Sequence, residues 1–368
     1  MFPVIDLQGS PHERGRVHGE FARGRIERSL ANYAKLFSFY GMDWQEAQRA
    51  GAAYREVIGG FDAELLEEIE GIARGAGRPL TEILTLNART EILRLDQPSG
   101  ATEGMDAGEC TAIAVGPAAS ESGEALLAQN WDWIAAQREA MVLLRVRAGG
   151  EPGCLTLTEA GMLAKIGLNT QGLGVCLNIL RSIHDGGRPG IPVHVLLRAL
   201  LKRASVQDAV ALASKLEFGG SSNILCADRS GEAAALEFSP GGLRVVRGEG
   251  AVLCHTNHFL DPGAASWQAQ LAANFSSVPR LARLRQFAAG RAKHGVEDLK
   301  RILSDESQGP VSICRQPDLS LPAEAQTHTV ASVIMELARG VMHVAPDVPS
   351  RAEYQPVALV SDGQVAFA

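Results

Sequence analysis

Across residues 10–95, apolar side chains return with the spacing of amphipathic helices. The stretch SPHERGRVHGEFARGRIERSLANYAKLF predicts a helix beginning at Ser10, because Pro11 suits a first helical position and Glu13 completes a capping box. In FDAELLEEIEGIARGAG, Leu65, Leu66, Ile69 and Ile72 share one helical face, and the glycines at 75 and 77 stop the pattern. PLTEILTLNARTEIL predicts another helix with Thr81 as its cap. Glycines 15, 19 and 24 resemble a phosphate loop in composition. No G-K-[ST] follows them, however, and they lie in a helical pattern, so close helix packing accounts for them.

Beyond residue 110 the pattern turns to β. CTAIAVGP and EALLAQNWDW read as strands joined by a turn at Ser122-Gly123, and AMVLLRVR, CLTLTEA, LAKIGL and LGVCLNIL follow. The last pair is linked by Asn169-Thr170-Gln171-Gly172, a hairpin turn. A helical insert spans 191–216, where Ser205 caps a second helix and Asp208 suits its first turn. Strands resume in SNILCADRSGEAAALEF, turning at Arg229-Ser230-Gly231, and in GLRVV and AVLCHTNHF. VEDLKRILSDE predicts a helix, and HTVASVIMELARGVMHVA a last β pair turning at Arg339-Gly340. A mostly antiparallel β region with helices inserted and flanking defines an α+β class.

Composition narrows the setting. With 46% hydrophobic and 21% charged residues, the chain is globular and not disordered. A net charge of −7 argues against nucleic acid or an anionic membrane as partner. The start, MFPVIDLQGSPHERG, lacks the basic and apolar regions of a secretory signal, and no apolar run approaches the ~18 residues of a spanning helix. A cytoplasmic location is therefore expected. The six cysteines, none in a C-x-x-C spacing, read as free thiols. Cys254, His255 and His258 are the best metal candidates. On a strand the two histidines would point to opposite faces, and catalytic zinc needs three convergent ligands, so neither metal nor cofactor is expected.

The chemistry concentrates at GECTAIAV, residues 108–115, where a polar, glycine-dotted stretch runs into an apolar strand with Cys110 at the joint. As a small hydrophobe, cysteine packs well at a strand start. The sharper reading is a cut before Cys110. A thiol with pKa ~8.5 needs a base, and a free α-amine at ~7.7–8.0 is well matched to it. An internal residue has no such amine, so cleavage would create one. A papain-like set using His255 or His258 competes with this reading but lacks its usual sequence surroundings. A non-catalytic binding protein is a third possibility.

Taken in order, GECTAIAV, QNWDW, GLNTQGLGVCLNIL, SSNILCADRSGEAAALEF, HTNHFL and SICR resemble the acyl-coenzyme A:6-aminopenicillanic acid acyltransferase family, a group of N-terminal-nucleophile hydrolases. The resemblance runs over nearly the whole chain. It implies a four-layer αββα sandwich and self-cleavage into a helix-rich α chain, 1–109, and a β chain, 110–368, that together form one domain. By the same resemblance Cys110 is the nucleophile, Asp132 the acid that orients the new amine, and Asn257 the oxyanion donor. Asn178 stands in an apolar strand, where an amide needs partners. Arg315 is a candidate to hold a substrate carboxylate or to pair with Asp132. Trp131 and Trp133 share the strand face opposite Asp132, and Trp133 is placed with the substrate-binding residues. One position departs from the family, which commonly carries glycine before the nucleophile. Here Glu109 takes that place, with Gly108 one further back, and the acyl shift at the Glu109–Cys110 bond favours a permissive backbone.

The expected function is hydrolysis of a small-molecule linear amide through a Cys110 thioester. Acyl transfer from a coenzyme A thioester to an amine is the alternative. The acyl group itself depends on loops such as 184–192 and is not written in any motif, and association into a homo-oligomer stays open.

Overall fold

A computed structural model of the chain describes residues 1–95, 110–147, 149–186, 188–248, 250–270, 275–324 and 326–360. Ser10 caps α1 (Pro11–Phe21): its hydroxyl accepts from the Glu13 backbone, and the Glu13 carboxylate accepts from the Ser10 N–H. The helix expected to continue to residue 37 is broken at Ala22, and α2 (Arg23–Phe39) starts afresh. After them come α3 (Trp44–Phe61), α4 (Ala63–Ala76), α5 (Leu80–Asn87) and α6 (Arg89–Leu95). Thr81 lies inside α5 instead of capping it; Pro79 holds the cap position, and the Thr81 hydroxyl donates to Gln48.

The early glycines do serve close packing, with one exception. α1 lies against α4 so tightly that a Cβ on Gly15 would stand 1.9 Å from the Glu68 carbonyl oxygen. One on Gly75 would stand 2.1 Å from the Arg16 carbonyl oxygen. Gly24 has no neighbouring atom within 4 Å and plays no such part. Beside this contact the buried Arg14 and Glu68 form an ion pair at 2.9 Å.

The first strands in chain order are β1 (Val4–Leu7), β2 (Cys110–Val115), β3 (Leu126–Ile134), β4 (Met141–Val146), β5 (Cys154–Glu159), β6 (Ile166–Asn169) and β7 (Leu173–Ile179). Two helices of the insert follow, α7 (Val193–Leu200) and α8 (Val206–Ala213). Ser205 caps α8 through the Asp208 N–H, as its position predicts. The chain then forms β8 (Ser222–Asp228), β9 (Ala233–Ser239), β10 (Gly242–Val246) and β11 (Val252–His255). It ends with α9 (Ser277–Ala289), α10 (Val296–Leu303), β12 (Thr327–Glu336), β13 (Val341–Ala345) and β14 (Gln355–Ala358). Among these, α9, β1 and β14 have no counterpart in the pattern-based reading.

The strands form an eight-stranded sheet, β1-β4-β5-β6-β7-β8-β9-β10, and a six-stranded sheet, β11-β2-β3-β12-β13-β14. Pairing is antiparallel except for β1, which runs parallel to β4. The sheets stack through β2 and β3 against β7 and β8. α8 covers β8 and β9 on one outside, and α9 and α10 cover β11, β3 and β12 on the other. This is the αββα order.

Strand alternation sorts the six-stranded sheet into two cores. Cys110, Ala112, Ala114, Leu127, Trp131 and Trp133 enter the core shared with the other sheet. Ile113, Val115, Leu126 and Ala128 enter a second core with Leu281 and Leu284 of α9 and Leu299 and Ile302 of α10. No helix among the described residues is long and apolar enough to cross a membrane.

The α1–α4 contact yields a paired expectation. Gly15→Ala should lower stability by about 1–3 kcal/mol, because backbone and not a pliable side chain must move. Gly24→Ala should be neutral or stabilising by up to about 1 kcal/mol. Urea unfolding of both variants against wild type checks the difference.

Candidate active site

Cys110 opens β2 opposite Trp131 and is 1% exposed. Its main chain is held by side chains from three elements. The Cys110 N–H donates to Asn257 Oδ1 at 2.7 Å. Its carbonyl accepts from Asn178 Nδ2 at 3.0 Å and from Arg280 Nη1 at 2.8 Å. Asn178 belongs to β7 in the facing sheet, and its own Oδ1 accepts from Asn223 Nδ2 at 3.0 Å. The amide that needed partners in an apolar strand thus finds them at the cysteine.

Asn257 follows β11, just past its end, so strand alternation does not set its direction. Asn257 Nδ2 donates to the Ile179 carbonyl at 3.0 Å. Here it is the Asn257 oxygen, and not the nitrogen expected for an oxyanion donor, that faces the Cys110 backbone. The reason is chemical: a backbone N–H only donates, and Arg280 Nη2 donates to the same oxygen at 3.0 Å.

Arg280 was not singled out by the sequence, yet it is wholly buried. Besides Cys110 and Asn257, it donates to Thr111 Oγ1 at 2.8 Å and to Ser276 Oγ at 2.8 Å. Its source is the α9 stretch SVPRLARLRQFAA, which also carries Arg283 and Arg285. Nothing in that spacing distinguishes the buried arginine from its neighbours.

Asp132 is buried on β3, and its Oδ1 accepts from Thr329 Oγ1 at 2.6 Å. The Arg315 N–H donates to the same Thr329 hydroxyl at 3.0 Å, so the main chain of Arg315 is tied to Asp132 through one threonine. Trp133 is buried and donates to the Tyr33 hydroxyl at 3.0 Å. The Arg89 guanidinium stands 4.6 Å from its ring and Lys165 Nζ 5.4 Å. An apolar cluster of Leu180, Phe259, Ala264 and Trp267 continues from the strand ends that carry Asn178 and Asn257. Glu109, the other half of the expected cleavage bond, lies outside the described residues.

The histidines of CHTNHF are spent elsewhere. His255 Nε2 meets Glu237 Oε1 at 2.7 Å, and His258 Nδ1 meets Ser277 Oγ at 2.7 Å. The strand ends at His255, so the opposite-face argument does not reach His258. Among the described residues no three His, Cys, Asp or Glu side chains cluster as a metal site.

Burial pushes the Cys110 thiol up to about 11. The Lys165 charge is the largest influence opposing this, the Asp132 carboxylate raises the thiol further, and a backbone hydrogen bond from Asp132 and the Arg280 charge lower it. At neutral pH this is a protonated thiol that needs a base. Stacked sheets between helix layers, with a buried cysteine opening a central strand, match the N-terminal-nucleophile class of architecture.

Comparison with known sequences gives the family. The pattern of the acyl-coenzyme A:6-aminopenicillanic acid acyl-transferase family matches residues 119–351. The 40 kDa form of the acyl-coenzyme A:6-aminopenicillanic-acid-acyltransferase of Emericella nidulans is 32% identical over 313 residues, covering 84% of each chain. The chain belongs to this family. Among solved structures, a variant of conjugated bile acid hydrolase from Clostridium perfringens superposes with a TM-score of 0.49 at 13% identity, over 68% of this chain and 92% of that one. Penicillin V acylase from Agrobacterium tumefaciens gives 0.45 at 15% identity, over 64% and 82%.

Arg280→Met should cost roughly 2–3 kcal/mol in urea unfolding, since it strips buried acceptors of their donor. Arg280→Lys should recover only part of this, because a single ammonium cannot span acceptors that the planar fork reaches together.

Proposed function

We propose that the chain cuts itself before Cys110 and then works as a cysteine amidohydrolase on a linear amide. The observation that carries this reading is the Cys110 N–H directed at Asn257 Oδ1 in a buried site. Cleavage would turn that amide nitrogen into an amine already seated against an acceptor, beside a thiol too weakly acidic to ionise alone. The amine takes the thiol proton, and the thiolate attacks the substrate carbonyl. The tetrahedral oxyanion is met by an N–H of Asn257. The amine then passes its proton to the leaving nitrogen. Water resolves the thioester, releasing the acid and restoring the thiol. Asp132, fixed by Thr329, supplies the negative charge that orients the amine.

The two fragments, 1–109 and 110–368, would stay together after the cut. β1 pairs with β4, Arg89 pairs with Glu159, and Asn87 Nδ2 donates to the Gly161 carbonyl, each bond joining one fragment to the other. The apolar cluster at Phe259 and Trp267 supports an apolar acyl group, and Arg315 is the candidate to meet a substrate carboxylate. Six free, buried thiols support a cytoplasmic setting.

A second reading, acyl transfer from a coenzyme A thioester to an amine, is favoured by the activity for which the Emericella relative is named. Both reactions share the thioester and differ in what attacks it. Transfer must also keep water from competing.

Intact mass and N-terminal sequencing should find two fragments in the wild type, the larger starting at Cys110, and one full-length chain for Cys110→Ala. An active wild type that stays uncut overturns the self-processing step.

Hydrolysis should also outrun transfer. With a panel of N-acyl 4-nitroanilides and millimolar added amines, free acid is the expected main product by mass spectrometry. New amides in excess, or coenzyme A thioesters as better donors, would establish the transferase.

A further inference from the structure

Lys165 precedes β6, is 2% exposed, and plays no part in the chemistry described so far. Its Nζ stands 3.7 Å from the centre of the Trp131 ring. Trp131 is the register partner of Cys110, and directly paired residues of an antiparallel ladder project from the same face. Lys165 therefore lies over the inner face onto which the Cys110 thiol projects.

The neighbouring cation is already satisfied. Arg89 Nη2 pairs with Glu159 Oε2 at 2.8 Å, and Glu159 also accepts from the Tyr33 hydroxyl. Lys165 is left over aromatic rings, and among the described residues no carboxylate stands within ion-pair distance of it. A buried ammonium without a paired anion is costly. The Glu159 carboxylate acts on Lys165 from a distance and is paired with Arg89, and the next group on this face that can become an anion is the thiol.

We propose that Lys165 is the charge partner of Cys110, a positioning cation that favours the thiolate. This rests on the reading of Cys110 as nucleophile, and it adds a residue which that mechanism does not need for its proton transfers.

The charged and titratable groups around the pair are Arg89 from α6, Glu159 from β5, His194 from α7 and Cys110 from β2. Asp132 from β3 and Arg280 from α9 act on the thiol as well. Burial, helped by Arg89, drives Lys165 down to about 7, while Glu159 and Cys110 pull it back up. His194 is held well below its ordinary value by burial and by the Arg89 and Lys165 charges, so it stays neutral. The sign is then fixed. Below about pH 7 Lys165 is charged and raises the fraction of Cys110 present as thiolate, and a neutral side chain in its place removes that gain.

The test is the pH profile of iodoacetamide modification at Cys110, read on the peptide by mass spectrometry. The rate of modification reports the thiolate fraction whether or not the chain is cut or turns over substrate. At pH 6, where Lys165 is charged, Lys165→Met should be modified about tenfold or more slowly than wild type, the two converging above about pH 8, and Lys165→Arg should be at least as fast as wild type throughout. An equal rate at pH 6 in a folded Lys165→Met protein overturns the proposal.

Should Lys165→Met fail to fold, the same coupling is read in reverse. The Nζ titration of Lys165, followed by NMR with labelled lysine, must lie higher in Cys110→Asp, which sets a fixed anion at this place, than in Cys110→Ala, because coupling between two sites is reciprocal. No difference overturns the proposal. An uncut chain that still shows the rate difference at pH 6 would sink the self-processing reading and leave Lys165 in place, so the two failures are distinct.

Discussion

The hydrogen bonds that fix the main chain of Cys110 are the constraint on which the site depends. Cys110 is paired with Trp131 of β3, but pairing with β11 ends at Ala112, so its peptide groups need anchors from outside the ladder. Asn178 reaches it from the facing sheet, Asn257 from the loop after β11, and Arg280 from the outer helix layer. A guanidinium suits this task because its donors form a rigid fork that satisfies several acceptors at once. Each bond to a charged donor contributes about 1.5–3 kcal/mol, while an unmet acceptor in this dry position costs a similar amount. Holding and losing the cysteine backbone are therefore far apart in energy.

The pleat of β2 and β3 divides the work between two environments. Cys110 and Trp131 face the neighbouring sheet, where Lys165 and the Arg89–Glu159 pair are buried among aromatic rings. Thr111 and Asp132 face the other way, toward α9 and Thr329. The thiol and the carboxylate thus meet across the backbone of a strand end and not within one pocket. Charges on both sides act on the thiol, and burial on the inner side outweighs them, leaving it at about 11.

The same inner face binds the two parts of the chain on either side of residue 110. Tyr33, Asn87 and Arg89 precede it, while Trp133, Glu159 and Gly161 follow it. Glu159 is held down at about 2 despite its burial, because the Arg89 and Lys165 charges and the Tyr33 hydroxyl favour its charged form. That carboxylate is a structural hinge pin between the helical half and the β half.

Much of this was legible in the linear order of residues. A polar stretch, a cysteine and an apolar strand mark the joint, and a capping box, hairpin turns and strand alternation are local, so Ser10, Gly172 and the opposite facing of Asp132 and Trp131 follow from neighbours a few positions away. The break at Ala22 was not legible, because the helical period continues across it. β1 and β14 are short strands, visible only once they find an edge to pair with. The orientation of Asn257 needed the donor it faces. Arg280 and Lys165 were hidden for a different reason. Arg280 shares α9 with Arg283 and Arg285, in a segment the sequence pattern did not mark as a helix. Long-range packing alone decides which cation is driven from water and which anion or carbonyl it must then meet.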